Sequence, residues 1–109
     1  MEKSLKGHVV VTRFPFSDLT GSKKRPALIL ADWDGDDVIL TQNTSKANKD
    51  VYAINLNDRD FASGSLHQES FVRPNKLFTA DRTSFLNFIG HLNNDKMKKI
   101  TTAICSILS

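Results

Sequence analysis

This sequence has little cysteine, no long apolar run and no apolar N-terminal segment. Cys105 is its single cysteine, which excludes an intramolecular disulfide and a cysteine-based metal cluster. No run of about 18 apolar residues occurs, so no membrane-spanning helix is expected. Residues 1–6 lack the apolar segment of a signal peptide. These absences favour a protein of the reducing cytoplasm.

Charge of one sign is not in strong excess either. The 15 Lys and Arg residues and the 12 Asp and Glu residues leave a net charge of +3. That balance permits a polyanionic partner without requiring one, so the placement of the charges matters more than their sum. A chain of 109 residues has room for one hydrophobic core, and we expect a single domain spanning residues 1–109.

Short runs of β-branched and aromatic residues, separated by turn-forming residues, predict a mainly β fold. The predicted strands outside the central hairpin are residues 8–14, 51–56, 70–73 and 77–79. Residues 57–64 are typical of a turn or a short helical excursion, while residues 85–92 fit strand and helix equally. Apolar residues then recur at helical spacing from 97 to 108, with Asn93 or Asn94 placed to cap the helix. The pattern predicts a small β-barrel with a C-terminal α-helix.

The dipeptide Asp34-Gly35 between two apolar runs, residues 26–33 and 36–43, predicts a β-hairpin. Both runs are apolar at successive positions, as expected for strands covered on both faces. A two-residue turn would pair Trp33 with Asp36, and the same register would place Arg25 directly opposite Thr44. Directly opposed residues share one face of a sheet, with Cβ atoms about 5 Å apart.

This hairpin is electrically polarised. Its tip is acidic, whereas its base collects Lys, Arg, amide and hydroxyl residues: Lys23, Lys24, Arg25, Asn43, Thr44, Ser45 and Lys46. Such groups suit a phosphate backbone, although the charge pattern alone is more typical of a solvated loop with solubilising lysines. Phe14 and Phe16 lie close to this base in the sequence and are candidates for stacking on nucleobases.

The sequence resembles the MazF/PemK toxin family along nearly its whole length. The similar stretches begin with Gly7-His-Val-Val-Val-Thr-Arg-Phe and continue through Gly21-Ser22-Lys-Lys-Arg25-Pro26-Ala-Leu-Ile-Leu and Thr44-Ser45. Further on they include Ser70-Phe-Val-Arg73, Leu77-Phe-Thr79-Ala-Asp81 and Ile89-Gly90-His-Leu92.

The resemblance implies an SH3-like barrel that forms a homodimer, binds an antitoxin and, with it, DNA. It further implies metal-independent, cofactor-free cleavage of single-stranded messenger RNA by attack of the ribose 2′-hydroxyl on its own 3′-phosphate. In the family the arginine of the Arg-Pro pair and the threonine after the third strand are catalytic, and they correspond to Arg25 and Thr44. Ser22 and Arg73 correspond to substrate-binding positions. Asn75, which is aspartate in some relatives, belongs with Ser22 and Lys46 to the region expected to set base preference.

Two other functions remain open at this stage. A CcdB-like gyrase poison shares the barrel but depends on a C-terminal Trp-Gly-Ile, whereas this chain ends in Ile107-Leu108-Ser109. A non-catalytic RNA- or antitoxin-binding module is the other alternative. No spacing brings two of the three histidines together, so we expect them to have packing or surface roles, and we expect Cys105 to be a buried, inert thiol.

Overall fold

A single curled antiparallel sheet forms the framework of the molecule. The computed structural model describes residues 5–13, 24–32, 35–44, 51–65 and 69–109. The strands are β1 His8–Arg13, β2 Lys24–Asp32, β3 Asp37–Thr44, β4 Ile54–Leu56, β5 Phe61–Gly64, β6 Ser70–Asp81 and β7 Asn87–Leu92. Two short 3-10 helices, Asp58–Asp60 and Arg82–Ser84, precede β5 and β7, and helix α1 spans Asn94–Leu108. The described residues confirm the predicted mainly β fold with a C-terminal helix.

The seven described strands lie in the order β4-β6-β3-β2-β1-β7-β5, and all neighbours run antiparallel. The first three strands are neighbours in the sheet as they are in the chain. The later strands extend both edges, because β6 pairs with β3 on one side while β7 pairs with β1 on the other. One end of the sheet therefore gathers the end of β1, the start of β2 and the end of β3.

Both faces of the central strands are buried, as the hairpin prediction required. Ala27, Leu28 and Ile29 are all 0% exposed, yet they alternate between two clusters. Leu28 belongs to the cluster on the helix face, which packs Val9, Leu56, Val72 and Leu92 against α1. Ala27 and Ile29 belong to the cluster on the far face, whose other buried members are Val10, Val38, Leu40 and Phe78. Residue parity along β3 and along β2 up to Ile29 therefore tells which face a side chain occupies.

Helix α1 begins after Asn93, whose side chain accepts a hydrogen bond from the Lys96 backbone N–H at 2.8 Å. That bond satisfies one of the N–H groups left unpaired at the start of a helix. Met97, Ile100 and Ile104 are buried against the sheet. Cys105 falls on the exposed side, so the expectation of a buried thiol is wrong. Among the described residues no helix combines the length and apolar character needed to cross a membrane.

The hairpin between β2 and β3 contains a bulge that the sequence did not reveal. Ile29 pairs with Leu40, but the next pairs are Ala31 with Ile39 and Asp32 with Val38, so the register shifts by one residue at Leu30. The register therefore departs from the predicted one beyond Ile29, because a bulge makes two residues of one strand oppose one residue of the other. The predicted pairing of Trp33 with Asp36 involves a turn residue. The turn residues 33–34 lie outside the described residues.

Strand β6 is continuous, whereas the sequence predicted two short strands around Pro74. The register shifts between the pairs Thr41–Leu77 and Gln42–Arg73, which leaves residues 74–76 as a bulge. Proline lacks the N–H that a central ladder position requires, and a bulge removes that requirement. β6 remains one strand because its pairing with β3 is interrupted only at residues 74–76 and resumes on both sides.

Other boundaries also differ from the prediction. The strand predicted for residues 51–56 is restricted to Ile54–Leu56, since residues 51–52 form a turn. The expected helical excursion is the 3-10 helix Asp58–Asp60, but it leads into β5, which the sequence did not predict. The ambiguous residues 85–92 contain β7, which pairs with both β1 and β5.

Candidate active site

Arg25 and Thr44 lie on neighbouring strands at the same end of the sheet. The β2–β3 register runs through the pairs Leu28–Thr41 and Ala27–Gln42, and continuing it by two residues brings Arg25 opposite Thr44. Arg25 shares the parity of Ala27, so both side chains belong to the far face. Cross-strand neighbours of this kind have Cβ atoms about 5 Å apart. The bulge at Leu30 lies between this pair and the turn and does not disturb it.

This pair is part of a longer row of side chains. Thr12 of β1 pairs with Arg25, and Phe71 of β6 pairs with Thr44. The row on the far face therefore runs Thr12, Arg25, Thr44, Phe71 across four neighbouring strands. Thr12 is buried, whereas Arg25, Thr44 and Phe71 are half-buried and remain accessible.

Arg73 lies on the other side of Thr44 from Arg25. It pairs with Gln42, so it is two residues further along β6 than Phe71, on the same face. Arg73 and Thr44 are thus diagonal neighbours, a relation that long side chains can bridge. Two guanidinium groups flank one hydroxyl on a half-buried surface, and planar guanidinium forks match the geometry of a phosphate group.

The position of Arg73 depends on Thr41, a residue that the sequence reasoning missed. Thr41 is 0% exposed, and its hydroxyl donates to the Arg73 carbonyl at 2.5 Å, with a second, longer contact to the Lys76 carbonyl at 3.2 Å. These contacts close the bulge of residues 74–76, on which Asn75 is exposed. Pro74 within a strand-like pattern was the available sign of a bulge.

Asn43 is not brought into this row. It is 0% exposed and lies on the helix face, where it pairs with Val72. Within the described residues neither polar atom of its side-chain amide has a hydrogen-bond partner, and the buried hydroxyl of Ser70 lacks one too. Lys24 is exposed at the start of β2 opposite Arg13, where it adds positive charge to this end of the sheet.

The remaining predicted substrate-binding residues lie outside the described residues. They are Phe16, Ser22, Lys23, Ser45 and Lys46.

The sheet is electrically polarised in the sense that the sequence predicted. Arg13, Lys24, Arg25 and Arg73 lie toward the end of the sheet that holds the row. The opposite end carries the carboxylates Asp32, Asp36, Asp37 and Asp81. Hydrogen bonds from the Thr83 hydroxyl and backbone N–H lower the pKa of Asp81, which caps a 3-10 helix there. An anionic ligand is therefore favoured at the end that holds Arg25 and disfavoured at the other.

Two histidines meet, contrary to the sequence expectation. His8 of β1 pairs with His91 of β7, and their rings form an edge contact with centroids 4.7 Å apart. They lie at the opposite end of β1 from Thr12, roughly 13 Å along a strand of this length. They are thus separate from the row that contains Arg25. His67 lies outside the described residues, and among the described residues no group of three His, Cys, Asp or Glu side chains could hold a metal ion.

The protein is a small curled antiparallel sheet with one C-terminal helix, and two arginines, Arg25 and Arg73, lie beside Thr44 at one end of the sheet. Residues 5–108 match the family described as PemK-like, MazF-like toxin of type II toxin–antitoxin system. The chain belongs to this family, which confirms the resemblance found in the sequence. No curated protein matches the chain.

Solved structures share the fold. An endoribonuclease in complex with its cognate antitoxin from a mycobacterial species is 18% identical, with a TM-score of 0.72 over 95% of this chain and 93% of that chain. MazF from Deinococcus radiodurans is 20% identical, with a TM-score of 0.71 over 94% of each chain. The toxin MazF-mt6 of Mycobacterium tuberculosis is 16% identical, with a TM-score of 0.70 over 93% of this chain and 95% of that chain. At these identities the likeness establishes the fold alone.

Proposed function

We propose that this chain is the toxin of a type II toxin–antitoxin pair and that it cleaves single-stranded RNA at Arg25 and Thr44, without a metal or cofactor. The observation that carries the proposal is the far-face row, in which the strand register sets Arg25 beside Thr44 and Arg73 diagonal to it. A phosphate bound at Thr44 would lie between two guanidinium groups. The family membership and the solved relatives named as endoribonucleases support the same reaction.

The reaction consists of one transesterification at phosphorus. The ribose 2′-oxygen bonds to the neighbouring phosphorus while the bond to the 5′-oxygen breaks, giving a cyclic phosphate and a 5′-hydroxyl. DNA lacks the attacking hydroxyl and would resist cleavage. Negative charge grows on the non-bridging oxygens, and we assign its stabilisation to Arg25, with Arg73 holding the same phosphate. Thr44 would orient the phosphate through its hydroxyl.

The proton steps need groups besides these. The 2′-hydroxyl must lose a proton and the leaving 5′-oxygen must gain one. A guanidinium group stays protonated at neutral pH and is a poor proton acceptor, so Arg25 is assigned to charge stabilisation rather than to proton abstraction. Asn75 has an amide where a carboxylate would be a base. We therefore assign both proton steps to solvent water that reaches the half-buried row, which would accept the proton of the 2′-hydroxyl and supply one to the 5′-oxygen.

We extend the proposal to the partners of the chain. A mycobacterial endoribonuclease has been solved with its cognate antitoxin, and MazF from Deinococcus radiodurans has been solved with MazE. By analogy we propose a cognate antitoxin for this toxin, and a homodimer built from single domains that span residues 1–109. The substrate and the antitoxin would be met in the cytoplasm.

The test is to incubate the purified protein with a long single-stranded RNA in EDTA and to map the new ends by primer extension. We expect discrete cuts that leave cyclic phosphates. Arg25→Ala should slow single-turnover cleavage by about 100-fold or more, the usual effect of removing one preorganised transition-state donor. Thr44→Val should slow it while the variant remains folded at the temperature of the assay. Arg59→Ala, which removes an exposed arginine of the first 3-10 helix, is the matched control and should cleave like the wild type.

Each other outcome removes a specific part of the proposal. Loss of cleavage in EDTA would contradict the metal-independent mechanism. Tight RNA binding without cuts would indicate a non-catalytic module, and inhibition of gyrase supercoiling with intact RNA would indicate a gyrase poison. Wild-type rates in Thr44→Val would remove Thr44 from the site.

A further inference from the structure

The far-face row continues one strand beyond Phe71. Phe71 pairs with Thr44 on one side and with Asn55 of β4 on the other, so Asn55 is the last member of the row, at the edge of the sheet. Phe71 and Asn55 are both half-buried. Phe71 is thus an aromatic side chain with accessible surface, and it is the direct neighbour of the threonine assigned to the phosphate.

The orientation of the Asn55 amide follows from its neighbours. Its Nδ2 donates to the carboxylate of Glu69 at 2.7 Å, and its Oδ1 accepts from the side-chain amide of Asn57 at 3.3 Å. A carboxylate only accepts hydrogen bonds, so the amide nitrogen must be the atom that faces Glu69. An amide group has two N–H donors and two carbonyl lone pairs. After these two bonds, one N–H and one lone pair are left to meet a ligand.

The charges at this edge favour different positions for the phosphate and the base of a bound nucleotide. Arg25 and Arg73 attract phosphate on the inner side of the row, whereas the exposed carboxylate of Glu69 at the edge repels it. A nucleobase carries no charge, and its flat ring can stack on an aromatic side chain. A nucleotide whose phosphate lies at Thr44 would therefore place its base over Phe71, with the base edge toward Asn55 and Glu69.

We propose that Phe71, Asn55 and Glu69 form a nucleobase subsite beside the scissile phosphate, specific for bases that carry an exocyclic amino group. This inference rests on the proposed RNA substrate. Phe71 stacks on the base, and the Asn55 amide pairs with adjacent donor and acceptor atoms of its edge, as asparagine does with adenine. Glu69 accepts from the exocyclic amino group. Uracil is disfavoured because its carbonyl oxygens would face a carboxylate that cannot donate.

The subsite is tested by binding, independently of cleavage, with short oligomers of A, C and U that carry 2′-fluorine and so lack the attacking hydroxyl. A ribose-phosphate oligomer without bases measures the phosphate contacts alone. We expect the wild type to bind A and C oligomers more tightly than U. Phe71→Leu should weaken binding of A and C by about 5- to 150-fold, the range for loss of one stacked base. It should leave the affinity for the abasic oligomer unchanged.

Three further variants sharpen the test. Phe61→Leu is the matched control, because Phe61 is half-buried like Phe71 but lies on edge strand β5 and packs against the helix-face cluster. It should keep all affinities, while Phe71→Tyr should restore those lost in Phe71→Leu. Glu69→Gln replaces an exposed carboxylate by an amide that both donates and accepts, so it should admit U without affecting folding.

Equal weakening of the abasic and base-containing oligomers by Phe71→Leu would overturn the subsite and indicate a packing role. An unchanged preference against U in Glu69→Gln would overturn the assignment of the base edge. These results are separable from the cleavage test. A wild type that shows the base preference but cuts no RNA keeps the subsite and loses the nuclease, whereas cleavage without any base preference does the reverse.

Discussion

Thr41→Val tests whether the β6 bulge is held by one hydroxyl. Valine has nearly the shape of threonine, so the substitution removes the hydroxyl and leaves no cavity. The hydroxyl contacts the carbonyls of Arg73 and Lys76, and Thr41 is 0% exposed. Losing the net hydrogen bond costs about 1 kcal/mol, and removing one partner from the part-buried carbonyl of Arg73 adds up to about 2 kcal/mol. We expect a total loss of about 1–3 kcal/mol in the free energy of unfolding.

The measurement is thermal and urea unfolding of wild type, Thr41→Val and Thr41→Ser. For a domain of this size the expected loss corresponds to a fall in the thermal midpoint of roughly 5–15 °C. Thr41→Ser keeps the hydroxyl and should lose much less. Because the same hydroxyl fixes the backbone at Arg73, Thr41→Val should also weaken binding of the abasic oligomer. A valine variant as stable as the wild type would refute the reasoning, since the carbonyls would then be satisfied without Thr41.

Three other predictions concern separate parts of the sheet. Gly64→Ala should lower the thermal midpoint by several degrees, because Gly64 has a φ of 75° and an added Cβ would lie 2.3 Å from the Ile89 carbonyl oxygen; an unchanged midpoint would contradict this close approach. Asn43→Leu should raise the midpoint, since it replaces a buried amide that lacks partners among the described residues; a lower midpoint would mean that the amide is satisfied. Asp81 has a pKa below its ordinary value of 3.8 because Thr83 donates to it, so its contribution to stability is complete above that value and is lost as pH falls through the lowered pKa. The thermal midpoint of the wild type should therefore fall further than that of Asp81→Asn when the pH is lowered below about 4. An equal fall in the midpoints of the two proteins would count against the capping bond.

The sequence contained enough to predict the site end of the hairpin but not its tip. Apolar runs on both sides of Asp34-Gly35 indicated two strands buried on both faces, and the Asp-Gly dipeptide indicated the turn that sets the register between them. The bulge at Leu30 is a change in backbone conformation within a run of apolar residues. No glycine or proline next to Leu30 indicates its position. The observed register from Ala27–Gln42 to Ile29–Leu40 is the one from which the pairing of Arg25 with Thr44 was predicted, because the shift at Leu30 lies on the turn side of these pairs.

Long-range pairings were the least predictable part. His8 meets His91, and Phe71 meets Asn55, because β1 pairs with β7 and β4 pairs with β6. Neither pairing leaves a periodic trace in the intervening sequence. The exposure of Cys105 had the same origin, since helical spacing shows which residues share a face but the sheet decides how wide the covered face is. The subsite at Phe71 was invisible for the same reason.

The row from Thr12 to Asn55 crosses five neighbouring strands in the order β1, β2, β3, β6 and β4, so the last two strands do not follow chain order. Its outer members come from β1 and from β4 and β6, so the constellation does not exist until β6 has inserted between β3 and β4. A chain emerging from the ribosome with only β1, β2 and β3 would hold Arg25 beside Thr44 but lack Arg73 and Phe71. The proposed RNA-cleaving site would therefore be incomplete in the growing polypeptide until β6 has been synthesised, and the messenger under translation would be spared until then.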